Sequence, residues 1–204
     1  MRYLPVEVDV EGREALVVGA NVEVLSKIER LLAAGARVLV VAPGEVDPSI
    51  EERARTAPEG RLEIARRAVT EEDAIGKAIV FIATPLDALA GPFHERARRE
   101  GTLLCTLDRP ELSTFVNPAM VRASGLTITF ATGGTSPGAM RRIREDLEAL
   151  FSDPRFGRFL GALADLRAKL PRGERAARMA EAVRGFAVDA TLRFPAWFER
   201  GEEP

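Results

Sequence analysis

Three short stretches of this sequence carry residue types whose spacing could do chemistry. In the first, Asp108 closes the apolar run Thr102 to Asp108 (TLLCTLD), at the strand end where open α/β sheets place their ligands. A carboxylate there could take the proton released when a carbon is oxidised by hydride removal. Ahead of Arg109-Pro110 the same residue could equally form a turn and cap local N–H groups. The second stretch, VVGANVEVLSKIERLLAAGARVLVVAP from Val17, is where a dinucleotide fold rests a pyrophosphate on the N–H groups of a helix N-terminus. Gly19 stands where the turn requires it. Ala20 and Asn21 stand where close backbone approach favours glycine, and Val24 where a small residue lets helix meet strand. Asn tolerates the left-handed conformation, so Asn21 is a usable substitute; an ordinary βα turn with no ligand is the alternative. After Ala42-Pro43-Gly44, Glu45 could accept from a ribose hydroxyl, favouring NAD over NADP, or be a solvated loop acid. The third stretch, Thr132-Gly133-Gly134-Thr135-Ser136-Pro137, combines two glycines, three hydroxyls and a proline at the first helical position. Free backbone donors converge there and suit carboxylates, although a plain helix cap would use some of the same residues. Arg141 and Arg144, one turn on, either reinforce anion binding or belong to a solvated face.

The elements that must position these stretches can be read from periodicity. Ala15 to Val18, Arg37 to Ala42, Leu62 to Ala65, Ala78 to Thr84 and Thr102 to Asp108 are short apolar runs, and helical spacing marks Val22 to Ala34 and Ala88 to Arg99. Continuous apolar strands need cover on both faces, which intervening helices supply, so an open, parallel, Rossmann-like α/β sheet is expected. After Asp108 the rhythm changes. FVNPAMVR and LTITFAT flank Ala123-Ser124-Gly125 and predict an antiparallel excursion. A helix is expected from Pro137 to about Leu150, and further helix from Pro154, broken at Pro171-Arg172-Gly173. The expected organisation is therefore a Rossmann-like domain over 1–112, a small α+β region over 113–150 and a C-terminal helical region over 151–204.

Composition narrows the function classes. With 29 Lys and Arg against 31 Asp and Glu, the overall field gives no case for nucleic acid or an anionic membrane as partner. One cysteine, Cys105, excludes an internal disulfide and any multi-cysteine zinc site. The opening MRYLPVEVDV has neither a signal-peptide core nor a transit-peptide pattern, and no apolar stretch approaches the ~20 residues of a membrane span, so a cytoplasmic location is expected. His94 has no imidazole or thiol near it in sequence and reads as a surface residue. Cys105 reads as a small buried hydrophobe, and Phe186, Phe194, Trp197 and Phe198 as core or subunit interface. No residue is assigned to a metal.

Taken in order, YLPVEVDVEGREALVVG, LLAAGARVLVVAP, CTLDRPELSTFVNPA and TITFATGGTSPGAMRRIREDLE resemble the N-terminal module of siroheme synthase, the precorrin-2 dehydrogenase family, some of whose members also insert ferrous iron into sirohydrochlorin. The resemblance spans roughly Tyr3 to Leu150. It implies NAD-dependent dehydrogenation of precorrin-2 to sirohydrochlorin, with Asp108 as the general acid/base residue. It assigns NAD contacts to the Gly19 turn (Gly19, Ala20, Asn21, Val22, Glu23), Pro43, Gly44 and Thr84. It places Thr132, Gly133, Gly134, Thr135 and Ser136, with Arg141, against the carboxylates of the tetrapyrrole. It also implies a homodimer, with Ser113 to Leu150 at its core, and ferrous iron as a further substrate in chelating members. Family turns usually read Gly-Gly-Gly-x-Val-Ala-x-x-Lys; this chain keeps Gly19 and Lys27 but differs between them. A non-catalytic tetrapyrrole carrier or sensor with a degenerate NAD loop is the competing expectation.

Overall fold

A computed structural model describes residues 4–84, 88–133 and 136–203, and the chain divides into two compact units, residues 1–117 and 118–204. In the first unit, strands β1 (Glu14–Val18), β2 (Arg37–Val41), β3 (Leu62–Ala65), β4 (Ile79–Ile82) and β5 (Leu103–Thr106) form one parallel sheet in the order β3-β2-β1-β4-β5. Helices α1 (Val22–Ala33), α2 (Pro48–Thr56) and α3 (Ala90–Glu100) connect them. The pleat sends alternate residues to opposite faces. Ala15, Val17, Val38, Val40, Ile79 and Phe81 pack with Val24, Ile28 and Leu31 of α1 and Ile50 of α2. Leu16, Val18, Val80, Ile82 and Leu104 pack with Phe93 and Ala97 of α3. Each such aliphatic or aromatic side chain contributes about 1.5–3 kcal/mol on full burial, which is why these runs lack the polar alternation of a one-sided sheet.

Two elements go beyond the sequence reading. Helix α2 is held at its start by Asp47, whose side chain accepts from the Ser49 N–H at 2.9 Å. Between β3 and β4 there is no full helix but a 3-10 turn, Glu71–Ala74. Its Asp73 carboxylate accepts from the Thr70 N–H at 2.8 Å and from both Arg67 Nη atoms at 2.8 and 2.6 Å.

The second unit opens with the hairpin β6 (Ala119–Ala123) and β7 (Leu126–Phe130), antiparallel with Ala123 opposite Leu126. Ser124 and Gly125 make its two-residue turn with φ of 52° and 89°, the paired positive angles of a type I′ turn that matches strand twist. Helices α4 (Pro137–Leu150), α5 (Pro154–Lys169), α6 (Arg175–Ala182) and α7 (Ala196–Glu199) follow. Ser136 and Asp153 cap α4 and α5, each ahead of a proline in the first turn. Among the described residues of this unit only Val121 is a fully buried hydrophobe. Among the described residues no helix is long and apolar enough to cross a membrane.

Candidate active site

The chain leaves β1 through Gly19, whose φ is 106°. A backbone at this angle favours glycine, and the turn packs against Ala83, whose carbonyl carbon would lie 3.4 Å from a Cβ here. The Gly19 N–H donates to Val41 O at 2.9 Å and the Ala83 N–H to Val18 O at 2.8 Å. These bonds fix the turn at the strand pair where the order of the sheet reverses, the crevice in which doubly wound folds bind ligands. Ala20 is buried among the residues that pack against α1, so its methyl group is turned away from the solvent side from which a phosphate would approach. Asn21 has φ −84° and ψ 168°. The left-handed geometry expected of it is not used, because the reversal is completed at Gly19.

Asn21, Val22 and Glu23 are exposed. The Asn21 side chain caps nothing, and the first N–H groups of a helix have no partner inside it, so α1 presents donors to an anion. Val24, in place of the family's small residue, is fully buried and fills the space between helix and sheet. Glu23, an acid in the first turn of α1, would oppose an anion bound at this helix end. Exposed Pro43, Gly44 and Glu45 follow β2, and the Asp47 N–H donates to Ala20 O at 2.9 Å, tying that loop to the Gly19 turn. Thr84, half-buried, follows Ala83. The dinucleotide contacts expected from sequence thus gather at the C-terminal ends of β1, β2 and β4, and the backbone donors and outward-facing turn there fit a pyrophosphate.

Asp108 lies two residues beyond β5, exposed, with φ 59°. Asp enters the left-handed region more readily than most residues, but at a cost of about 1 kcal/mol. The bonds that hold this turn come from elsewhere. The Leu107 N–H donates to Ile82 O at 2.9 Å and the Arg109 N–H to Thr106 O at 3.1 Å. Ser113 Oγ accepts from the Thr106 N–H at 2.9 Å and donates to Arg109 O at 3.0 Å. Thr114 Oγ1 accepts from the Leu104 N–H at 2.8 Å and donates to Thr102 O at 3.0 Å. Two hydroxyls therefore satisfy the open edge of β5, where a further strand would otherwise pair, and they lock the turn that carries Asp108. The carboxylate itself accepts none of these bonds: Asp108 forms the turn without capping it.

Beside Asp108 is a cleft of about 250 Å³ lined by Lys27 of α1, Phe81, Cys105, Phe115 and Asn117. Phe115 meets Phe81 edge-on at 5.6 Å and 76°. Cys105 is buried, as its sequence context implied. Burial pushes its thiol pKa up, opposed by the Asn117 backbone N–H and by the Lys27 charge, so it is a poor nucleophile. Sequence reasoning did not place Lys27, Ser113 or Asn117 at this site. The available signal was that Lys27 adjoins the buried stripe Val24, Ile28 and Leu31, which sets it on the flank of α1. His94 is half-buried on α3 rather than fully on the surface. Among the described residues no three His, Cys, Asp or Glu side chains gather in a way that could hold a metal ion.

The glycine-rich turn before α4 belongs to the second unit. Gly134 and Thr135 lie outside the described residues. Gly133 has φ 67°, the Ser136 N–H donates to Thr132 Oγ1 at 3.4 Å, and Ser136 Oγ accepts from the Ala139 N–H at 3.3 Å. Ser136 therefore serves as the cap. Arg141 is exposed and donates to Glu145 at 3.0 Å, and Arg144 lies 3.9 Å from Glu148. Such exposed pairs are worth about 0.3–0.5 kcal/mol, so a stronger anionic partner can displace them. Phe186, Phe194, Trp197 and Phe198 are exposed. A core role for them within this chain is therefore corrected, because the short helices around them enclose no interior.

A family model described as "Putative NAD(P)-binding" matches residues 6–119. The siroheme synthase of Pseudoalteromonas atlantica is 33% identical over 150 residues, 74% of this chain and 32% of that protein. The siroheme synthase of Pseudomonas entomophila is 35% identical over 170 residues, 83% of this chain and 36% of that protein. The chain thus spans about a third of the length of these curated relatives. The solved structure of SirC, precorrin-2 dehydrogenase, covers 89% of both chains with a TM-score of 0.72 at 24% identity, a likeness of fold. With the Gly19 turn, the doubly wound sheet and the match over residues 6–119 in agreement, the chain belongs to the NAD(P)-binding family of the siroheme-synthase N-terminal module.

Proposed function

We propose that this chain oxidises precorrin-2 to sirohydrochlorin with NAD, and that Asp108 is its general base. The observation that carries this reading is an exposed carboxylate with no hydrogen bond in its own turn, held in a left-handed conformation by the Ser113 and Thr114 hydroxyls. Strain retained by surrounding bonds and unused by the fold is a mark of a functional position. Asp108 also stands on the sheet edge that carries the Gly19 turn. β1, β4 and β5 are successive neighbours, so the two strand ends are roughly 10 Å apart at the usual ~4.8 Å spacing, within the reach of one dinucleotide.

The oxidation removes two electrons and two protons from the macrocycle. When bound, NAD supplies the hydride acceptor, which accounts for both electrons and one proton. The remaining proton passes from the macrocycle to the Asp108 carboxylate and then to solvent, to which Asp108 is open. The segment Thr132-Gly133-Gly134-Thr135-Ser136, with Arg141, would hold substrate carboxylates, Arg141 through a charge-assisted bond. Two copies would share the face built by residues 113–150 and the exposed aromatics of the C-terminal helices, which nothing in one copy covers. A carrier or sensor would have no need of an intact Gly19 turn.

Anaerobic turnover of precorrin-2 with NAD, followed by absorbance, tests the assignment. Asp108→Asn should lower the rate by about 10²–10⁴-fold, the scale of general acid–base catalysis, while macrocycle binding persists. Full activity in that variant would remove Asp108 from the mechanism. A native protein that fails to bind NAD would leave the carrier in possession.

A further inference from the structure

Lys27 is the one cation of α1 that lines the cleft beside Asp108, and the reaction as described gives it no part. Three observations define its position. It sits five residues beyond the first residue of α1, about 7.5 Å along the axis at 1.5 Å per residue, and therefore below the helix end that receives a pyrophosphate. It lines the same cleft as Cys105 and Asp108. Among the described residues no carboxylate pairs with it; its ammonium donates to Glu23 O at 3.0 Å. In an α-helix that carbonyl is already the acceptor for the N–H four residues on, so the bond is a weak resting contact that an incoming anion can replace.

The cleft's other cation, Arg109, is already paired with Glu111, and the rest of the lining includes Phe81 and Phe115, set edge to face, with Leu107, Pro110 and Val116. The apolar part of a macrocycle suits the apolar part of this lining, and its peripheral carboxylates suit a cation beside it. We propose that Lys27 is a specificity-determining anchor that takes one peripheral carboxylate of the tetrapyrrole and thereby sets which edge of the ring faces Asp108. This rests on the proposed function, and deepens it by naming the chain's own residue that orients the substrate.

The probes are sirohydrochlorin and NAD, bound separately to the full chain and followed by absorbance and by fluorescence. Lys27→Met should raise the dissociation constant for sirohydrochlorin, and the KM for precorrin-2, by about tenfold or more, the scale of one lost charge-assisted hydrogen bond. KM should rise by more than kcat falls, and the dissociation constant for NAD should stay at the native value. Lys27→Arg should recover most of the affinity. Lys169→Met, which removes an exposed lysine of α5, controls for net charge and should change neither constant. Weaker NAD binding in Lys27→Met would assign the residue to the dinucleotide and overturn the proposal. Unchanged sirohydrochlorin binding in a variant with native far-UV dichroism would overturn it as well. Native protein that binds NAD but no sirohydrochlorin would sink the substrate assignment and this anchor together, a result distinct from the loss of the anchor alone.

Discussion

The two units of this chain solve the burial problem differently. In the first, strands apolar on both faces lie between α1 and α2 on one side and α3 on the other, and side chains from Leu16 to Leu104 lose almost all contact with water. In the second, four helices and a hairpin leave Val121 as the one fully buried hydrophobe among the described residues, while Phe186, Val188, Phe194, Trp197 and Phe198 remain exposed. The first unit closes over its own core. The second is organised by local devices: the Ser124-Gly125 turn, the Ser136 and Asp153 caps, and the ion pairs along α4. A rigid frame can hold Gly19 and Asp108 to fixed geometry, whereas the second unit leaves aromatic side chains exposed, as the surfaces that bind partners do.

The contrast is tested most strongly by paired truncations. Phe93→Ala, at a side chain 2% exposed between α3 and the sheet, should cost about 3–5 kcal/mol. Phe186→Ala removes a ring 4.9 Å from Phe159 and 6.1 Å from Phe156 but 49% exposed, so only the pair contribution of about 0.5–1.5 kcal/mol is at risk. Urea unfolding followed by hydrogen exchange within each unit would measure both. Equal losses would mean that the second unit is as well packed as the first.

The covering of the second unit can be measured next. Trp197 is exposed and meets Phe198 at 5.8 Å, nearly perpendicular. If two copies bury this surface, Trp197→Ala should weaken association by about 2 kcal/mol, roughly 30-fold in the dimer dissociation constant. Sedimentation across a dilution series reads this directly. A native chain that stays monomeric at all concentrations would show that these aromatics are left to solvent or to another partner.

The contrast also explains what could be read from sequence. The strands were legible because β-branched and aliphatic runs bounded by glycine have few other solutions, and Gly19 was legible because a strand-turn-helix needs a reversal at that point. Helix α2 was missed: nine residues with Ile50 as their sole buried side chain give no apolar stripe. Asn21 was assigned a left-handed role from its residue type, yet this turn uses only one such angle and Gly19 provides it. The hydroxyls of Ser113 and Thr114 were illegible as supports for Asp108 because their value depends on β5 being an edge strand, a property of sheet order rather than of local spacing. Lys27 entered only as part of a family pattern. Its place on the cleft that Asp108 also lines follows from the rotational phase of α1 over the sheet, which no window of sequence contains.

The smallest effect concerns the local devices of the second unit. Asp153 caps α5, accepting from the Arg155 N–H at 2.8 Å and from Arg155 Nε at 2.8 Å. The Arg155 side chain, then its backbone N–H, hold the carboxyl at about 2 against its ordinary 3.8. A carboxyl depressed by folding stabilises the fold above its unfolded value and ceases to do so as pH falls through the folded one. The contribution of Asp153 should therefore be complete above about 3.8 and fade between there and about 2. A carbon-detected titration of the Asp153 carboxyl gives the midpoint, and amide exchange in the first turn of α5 should speed up over the same interval. Asp153→Asn should remove that acid response while leaving exchange in the sheet of the first unit unaltered. A midpoint near 3.8 would show that the Arg155 contacts do not persist in solution, and that α5 begins without the clamp that distinguishes this unit from the first.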